Sequence, residues 1–206
     1  MTSMLSFKYY KTNVLIGFIA FAAIAIFLAK DYWSISLSVI STISFLLLII
    51  NKWLWKYRPF SFMFWIPDFS GRYEGELEYE YRNDKCVINK GKLKHIKIIQ
   101  QTGGSINIYS FTLTSEGKQS SLSESKGVYV EKMKDEKHFQ LIYTYLNDGN
   151  GKLGFSPHYG TEIIKFIQNG NMKILSGKYF TDRLPYQTRG VFLDLKKVSN
   201  NLNHIF

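Results

Sequence analysis

Residues 71–82 have the sequence GRYEGELEYEYR, and this alternating segment decides the fold of the larger part of the chain. Its aromatic and aliphatic residues share one parity and its glutamates the other, which is the period-2 pattern of a half-buried β-strand. Lysines alternate in the same way from Lys90 onward. A hairpin through residues 83–89 would pair Glu78 with Lys92 and place Leu77 opposite Leu93 on the inner side. Such charge pairs specify the register of the strands.

Turn signals recur after this hairpin at a spacing typical of short strands. We predict eight strands, near residues 71–82, 90–101, 104–114, 120–132, 138–146, 160–168, 171–181 and 189–198. Sequential antiparallel strands in even number favour an all-β, eight-stranded up-and-down barrel of the lipocalin-like kind around one small cavity. An open two-sheet sandwich is the alternative. A membrane-spanning barrel is disfavoured because the outward positions are rich in Glu and Lys.

Two uncharged apolar segments precede the strands. Residues 12–29 form a run of eighteen and residues 32–51 a run of twenty. As helices they would be about 27 and about 30 Å long, which matches a hydrocarbon core of about 30 Å. They predict a transmembrane helical hairpin within residues 1–58. A cleaved signal peptide is the alternative for the first segment, but a second apolar segment follows it directly.

The charges at the flanks of these segments predict their orientation. Five basic residues lie on the outer flanks, namely Lys8, Lys11, Lys52, Lys56 and Arg58. The connecting Lys30-Asp31 is neutral, so the positive-inside rule places both termini in the cytoplasm and the tight turn outside. An aromatic stretch begins at Trp53, and we interpret residues 59–66 within it as an interfacial connector. A hydrophobic plug beneath the soluble domain is the alternative.

Composition and motifs narrow the function classes. Residues 1–58 carry six basic residues and one acidic one, and the remainder carries twenty and fifteen, so each part has a net charge of +5. The single cysteine, Cys86, excludes an intramolecular disulfide and fits a reducing compartment. The histidines lack the spacing of a metal site, and no phosphate-binding loop or nucleophile motif occurs. We therefore expect neither an enzyme nor a metal or cofactor.

Three strands place aromatic or basic residues on a face shared with aliphatic ones. These positions are Leu141, Tyr143 and Tyr145 on the fifth strand, Leu175, Tyr179, Thr181 and Arg183 on the seventh, and Arg189 with Leu195 on the eighth. If the aliphatic members mark the interior, Arg183 and Arg189 lie near the mouth of a tyrosine-lined cavity. Rings stack on bases and arginine binds phosphate, so this arrangement suits a small nucleotide. Alternatively, the arginines are rim charges paired with Asp182 or Asp194, and the tyrosines are ordinary core.

The order of these segments resembles a known family. Two apolar helices and an aromatic connector are followed by PDFSGRYEG at 67–75, YLN at 145–147, HYGT at 158–161, GKYFTDR at 177–183 and TRG at 188–190. This order resembles the two-transmembrane β-barrel effectors that accompany cyclic-oligonucleotide synthases in bacterial anti-phage (CBASS) operons, the CD-NTase-associated protein 15 type. Tyr73 stands where a Trp is expected. Each motif is short, and their order carries the resemblance across nearly the whole chain.

The resemblance implies a function for each part. A barrel at residues 67–200, followed by a tail at 201–206, would bind a cyclic dinucleotide made by a CD-NTase, and not a DNA or RNA polymer. Binding would drive homo-oligomerisation of the helices in the lipid bilayer, and disruption of the bacterial inner membrane would end in abortive infection. The expected ligand-binding residues are Tyr79, Tyr145, His158, Thr161, Tyr179, Thr181, Arg183 and Arg189.

Two other functions remain open from the sequence. The first is a membrane-tethered barrel that binds a lipid or small hydrophobe, for which a wholly apolar cavity without arginine at its mouth would be expected. The second is a non-binding scaffold, whose barrel would be filled by its own side chains.

Overall fold

The chain divides into two compact units. The computed structural model describes residues 6–33, 38–135, 137–151, 154 and 156–206. One unit comprises the chain up to Asp68 together with residues 101–105, and the other comprises residues 69–100 and 106–206.

The first unit is helical. Helix α1 spans Thr12–Trp33, helix α2 spans Val39–Ile49 and continues as a π-helical turn over Ile50–Leu54, and a 3₁₀ turn spans Phe60–Met63. Among the described residues, one helix, Thr12–Tyr32, is long and apolar enough to cross a membrane, whereas Val39–Leu54 is shorter. Residues 34–37 of the predicted second segment lie outside the described residues.

The predicted turn at Lys30-Asp31 is wrong, because α1 continues through both residues to Trp33. The pair contains neither glycine nor proline, so nothing in its backbone chemistry ends the helix there.

The aromatic stretch of the connector divides into buried and exposed rings. Trp55, Met63 and Phe64 form a buried cluster with Tyr10 and Ile50. A second set is more than half exposed, namely Trp53, Tyr57 and Phe62. The stretch therefore supplies the core of this unit and also a set of rings on its surface.

The second unit is a closed antiparallel barrel, as the alternation predicted. Its strands are β1 (Gly71–Arg82), β2 (Ile88–Gln101), β3 (Ile106–Leu113), β4 (Gln119–Lys132), β5 (Phe139–Asn147), β6 (His158–Asn169), β7 (Met172–Thr181) and β8 (Thr188–Ser199). Neighbours along the chain are neighbours in the barrel, and β8 pairs with β1 to close it. Closure excludes the sandwich, and every predicted strand boundary lies within two residues of the observed one.

The predicted register of the first hairpin is confirmed. Glu78 pairs with Lys92 and Leu77 with Leu93. The Lys92 ammonium lies 2.6 Å from the Glu78 carboxylate on the outer face. Exposed pairs of this kind contribute little stability, so their main effect is to oppose a slip of one residue, which would turn every side chain to the other face.

The half of the barrel where β1 begins is filled by its own side chains. Phe69 is fully buried and meets the ring of Phe166 edge-on, with 4.8 Å between ring centroids. The Tyr73 hydroxyl donates a hydrogen bond to the Phe69 carbonyl oxygen at 2.8 Å. Leu175 and Leu195 are fully buried beside them. We call this region the closed half.

Candidate ligand-binding site

The other half of the barrel contains a cavity of about 430 Å³. It lies where β1 ends and β2 begins, and we call this region the open half. Of the eight residues expected to bind ligand, six line the cavity, namely Tyr79, Tyr145, His158, Tyr179, Thr181 and Arg183. A volume of this size falls within the range of about 300–1,000 Å³ that is typical of small-molecule sites.

Glycines on neighbouring strands hold the tyrosine rings against the wall. The cross-strand pairs are Tyr79 with Gly91, Tyr145 with Gly160 and Tyr179 with Gly190. A β-carbon added at Gly91 would lie 2.5 Å from the Tyr79 hydroxyl oxygen, and one at Gly160 would lie 2.3 Å from that of Tyr145. Each ring therefore occupies the space that a neighbouring side chain would fill, and the centre of the barrel stays open.

Hydrogen bonds fix the polar side chains at the mouth. The Asn147 amide donates to the Ser123 hydroxyl oxygen at 2.8 Å, and the Thr181 and Thr188 hydroxyl oxygens lie 2.9 Å apart. Tyr186 stacks on Tyr81 with 5.7 Å between ring centroids. These contacts hold the rim in one arrangement around the half-buried Arg183.

A buried ion pair lies at the floor of the cavity. The Lys97 ammonium donates to the Glu162 carboxylate at 2.6 Å and to the Ser110 hydroxyl at 2.7 Å. The Tyr143 hydroxyl donates to the same carboxylate oxygen, Oε2, at 2.5 Å. Glu162 and Ser110 line the cavity. Two donors on one carboxylate oxygen compensate part of the cost of burying both charges.

His95 borders the same floor. Its side chain is 4% exposed, and its Nδ1 lies 3.2 Å from the Thr112 hydroxyl. Burial, together with the nearby Lys97 charge, holds the pKa of His95 well below its usual value. The imidazole is therefore neutral at physiological pH.

Burial also shifts the pKa of the neighbouring groups. It lowers the pKa of Lys97, and the Glu162 carboxylate opposes that shift. It raises the pKa of the Tyr143, Tyr145 and Tyr179 hydroxyls, which stay protonated at neutral pH. The tyrosines of the cavity can thus donate as well as accept hydrogen bonds.

Two of the expected residues lie away from the cavity. Thr161 pairs with Thr144 and Phe180 on positions that alternate with the cavity-lining Glu162. Arg189 is exposed and bonded to the Glu80 carboxylate at 2.5 Å on the outer wall. The interpretation that Arg189 shares an inner face with Leu195 is wrong, because a bulge with positive φ at Asp194 changes the parity between them.

The floor residues Lys97 and Glu162 were not among the residues expected to bind ligand. Lys97 follows Leu93 and His95 at the inward parity of β2, and Glu162 precedes Ile164 at the inward parity of β6. A charged residue on an inner face is rarely buried without a partner. Two such residues of opposite sign were the signal that could have identified the pair.

Residues 64–197 match the family model described as Cap15, cyclic dinucleotide receptor domain. The chain belongs to this family. The match covers β1 to β7 and most of β8, and with them all the cavity-lining residues described above. A Cap15 receptor domain is a ligand-binding domain, which agrees with the cavity. Comparison with curated proteins and with solved structures gives no match.

Proposed function

We propose that the open half of the barrel binds a cyclic dinucleotide and that the chain is a membrane-anchored CBASS effector. The observation that carries the ligand proposal is a cavity inside the barrel that is bordered by five tyrosines and by Arg183. Rings stack on nucleobases, and an arginine fork matches a phosphodiester. The family match supports the same ligand class.

The contents of the cavity favour this ligand over a lipid or a small hydrophobe. Glu162, Thr181 and Arg183 would each lose hydrogen-bonded water on contact with an acyl chain. The open volume argues against a scaffold whose interior is filled.

The helices support the membrane part of the proposal. α1 has the length and hydropathy of a membrane span. We propose that α2 and its π-helical extension form the second span of a hairpin, with both termini in the cytoplasm. The basic residues of the two flanks and the exposed rings of Trp53, Tyr57 and Phe62 suit the headgroup region.

The response that we propose follows from the resemblance and from the family. A CD-NTase in the same cell would make the ligand, and ligand binding would drive oligomerisation of the helices. The assembled helices would disrupt the inner membrane and cause abortive infection. In uninfected cells that make the ligand, a chain that lacks residues 1–58 should then leave the cells alive, and cell death with that variant would contradict the membrane mechanism.

Isothermal titration of the full chain in lipid nanodiscs with a panel of cyclic dinucleotides tests ligand binding. We expect binding of at least one member, and a roughly tenfold or larger loss in Tyr179→Ala and in Arg183→Ala. Tyr129→Ala and Arg189→Ala are matched controls, because both side chains lie on the outer surface and are more than half exposed. No heat for any member, or equal losses in the controls, would contradict the proposal.

A further inference from the structure

The Glu162 carboxylate uses one of its two oxygens within the barrel. Oε2 accepts from both the Lys97 ammonium and the Tyr143 hydroxyl. Among the described residues, no donor bonds to Oε1, and Glu162 lines the cavity. An acceptor with a negative charge is thus available to a ligand at the floor.

The His95 imidazole has one ring nitrogen without a hydrogen-bond partner among the described residues at the same floor. Nδ1 is engaged with Thr112, whereas the buried Nε2 has no hydrogen-bond partner among the described residues. The ring stacks on Phe192 with 5.7 Å between centroids, which fixes its plane. A buried polar nitrogen without a partner is costly, and a ligand atom at the floor would remove that cost.

We propose that Glu162 and His95 form a base-recognition subsite at the floor of the cavity. This inference rests on the proposed function and specifies how the ligand lies. The Glu162 Oε1 accepts an N–H from the Watson–Crick edge of one nucleobase, and His95 Nε2 bonds to a neighbouring atom of the same edge. The phosphodiesters lie toward the mouth, near Arg183 and His158, because a carboxylate repels a phosphate.

The spacing along β6 gives the subsite its depth. His158 lines the mouth, Gly160 holds the Tyr145 ring, and Glu162 lines the floor. Four residues of strand cover about 13 Å at about 3.3 Å per residue. A base at the floor is therefore well separated from a phosphate at the mouth, with the tyrosine rings between them.

The variant Glu162→Gln tests the subsite because the neighbouring donors determine the orientation of its side-chain amide. Tyr143 and Lys97 donate to the position of Oε2, so they hold the oxygen of the new amide there. The amide nitrogen then faces the cavity and presents a donor where the wild type presents an acceptor. A base N–H opposite that nitrogen loses its partner.

The experiment measures the affinity of the full chain in nanodiscs for two ligands. The first is the tightest member of a panel containing cyclic di-AMP, cyclic di-GMP, cyclic di-UMP and cyclic GMP–AMP. The second is its analogue with methyl groups at the N–H positions of the Watson–Crick edge. We expect methylation to weaken wild-type binding roughly tenfold or more, and Glu162→Gln to weaken binding of the parent to a similar extent. Methylation of the ligand should then lower the affinity of Glu162→Gln less than about threefold. The reason is that methylation and the substitution remove the same hydrogen bond between the base and residue 162.

Two further variants keep the test decisive. Lys97→Met/Glu162→Gln removes both charges and replaces Glu162→Gln if the single variant fails to fold, since Tyr143 still orients the amide. Glu78→Gln changes a carboxylate on the outer wall that pairs with Lys92, and it should bind both ligands as the wild type does.

The outcomes separate the subsite from the proposed function. If the wild type binds no member of the panel, the proposed function fails and the subsite with it. If the wild type binds but methylation of the ligand lowers the affinity of the wild type and of Glu162→Gln equally, the proposed ligand site is retained and the subsite assignment is overturned. Retention of wild-type affinity by Glu162→Gln would overturn it as well.

Discussion

The two halves of the barrel are built from the same strands, yet one is a packed core and the other a cavity. On β6, Phe166 fills the closed half and is 2% exposed, whereas Gly160 leaves room for the Tyr145 ring in the open half. On β8, Leu195 is buried in the closed half and Gly190 faces Tyr179 in the open half. Closure of the strands sets the diameter, but the side chains at alternate inner positions decide what occupies it.

The comparison shows how a small barrel keeps space for a ligand. When a tyrosine pairs with a glycine on the neighbouring strand, its ring packs against the barrel wall. This packing adds apolar contact and leaves the space along the barrel axis open. The Lys97–Glu162 pair lies at the boundary between the halves, where its carboxylate borders the cavity. Substitutions in each half test this difference between a packed core and a cavity.

Removal of a ring from the closed half should cost the most stability. We expect Phe166→Ala to lower the free energy of unfolding by about 3–5 kcal/mol, because it leaves a cavity among fully buried side chains. Tyr179→Ala in the open half should cost less than about 2 kcal/mol, because its ring already borders open space. Urea unfolding of both variants measures the difference, and equal losses would show that the halves are packed alike.

Removal of the Glu162 carboxylate should lower the free energy of unfolding slightly less than removal of the Phe166 ring. Glu162→Ala leaves the Lys97 ammonium buried without its carboxylate, and we expect a loss of about 3 kcal/mol, since the neighbouring cavity can hydrate the charge in part. Lys97→Met/Glu162→Ala should recover most of that loss, because it removes both charges. Thermal unfolding of the single and double variants tests this, and a double variant no more stable than the single one would refute it.

Filling a glycine of the open half should have a smaller effect on stability and a clear effect on binding. In Gly91→Ala the new methyl group meets the Tyr79 ring, which must move toward the axis. We expect a loss of about 1–2 kcal/mol and a roughly tenfold lower ligand affinity. In the control Gly151→Ala, no described residue apart from the chain neighbours lies within 4 Å of the added β-carbon, so neither quantity should change measurably. Wild-type affinity in Gly91→Ala would contradict the packing described for the tyrosines.

The smallest effect concerns pH. The folded pKa of His95 lies well below the unfolded value of about 6.5, so unfolded chains bind a proton that folded chains do not. The stability due to His95 is fully present above pH 6.5 and is lost as the pH falls toward the folded pKa. The slope is at most about 1.4 kcal/mol per pH unit for one proton. Urea midpoints between pH 7 and 5 should fall less steeply in His95→Gln, and identical slopes would contradict the assignment.

The alternation of side chains was enough to predict the barrel, and contacts across its interior were not. Pairing of Glu78 with Lys92 follows from a local hairpin, in which parity and turn position set the register. Lys97 and Glu162 are 65 residues apart and lie on strands that are not neighbours, so no ladder relates them. Their parity along β2 and β6 is compatible with an inward position for each, but only the closed barrel brings the two side chains together.

A local backbone irregularity accounts for the unexpected position of Arg189. The bulge at Asp194 reverses the parity of β8 and turns Arg189 to the outer wall, and a period-2 pattern contains no signal for such an inserted residue. The helix that continues through Lys30-Asp31 is a similar case, because a charged pair between apolar segments is compatible with a turn and with a helix.

A crystal structure of the protein bound to its tightest cyclic dinucleotide is the most direct test that the open half is the ligand site. We predict that the ligand lies inside the barrel, between the rings of Tyr79, Tyr145 and Tyr179. One base should contact Glu162, and the phosphates of the ligand should lie near Arg183. A ligand bound only on the outer wall beside Arg189, with the cavity unchanged, would contradict the account.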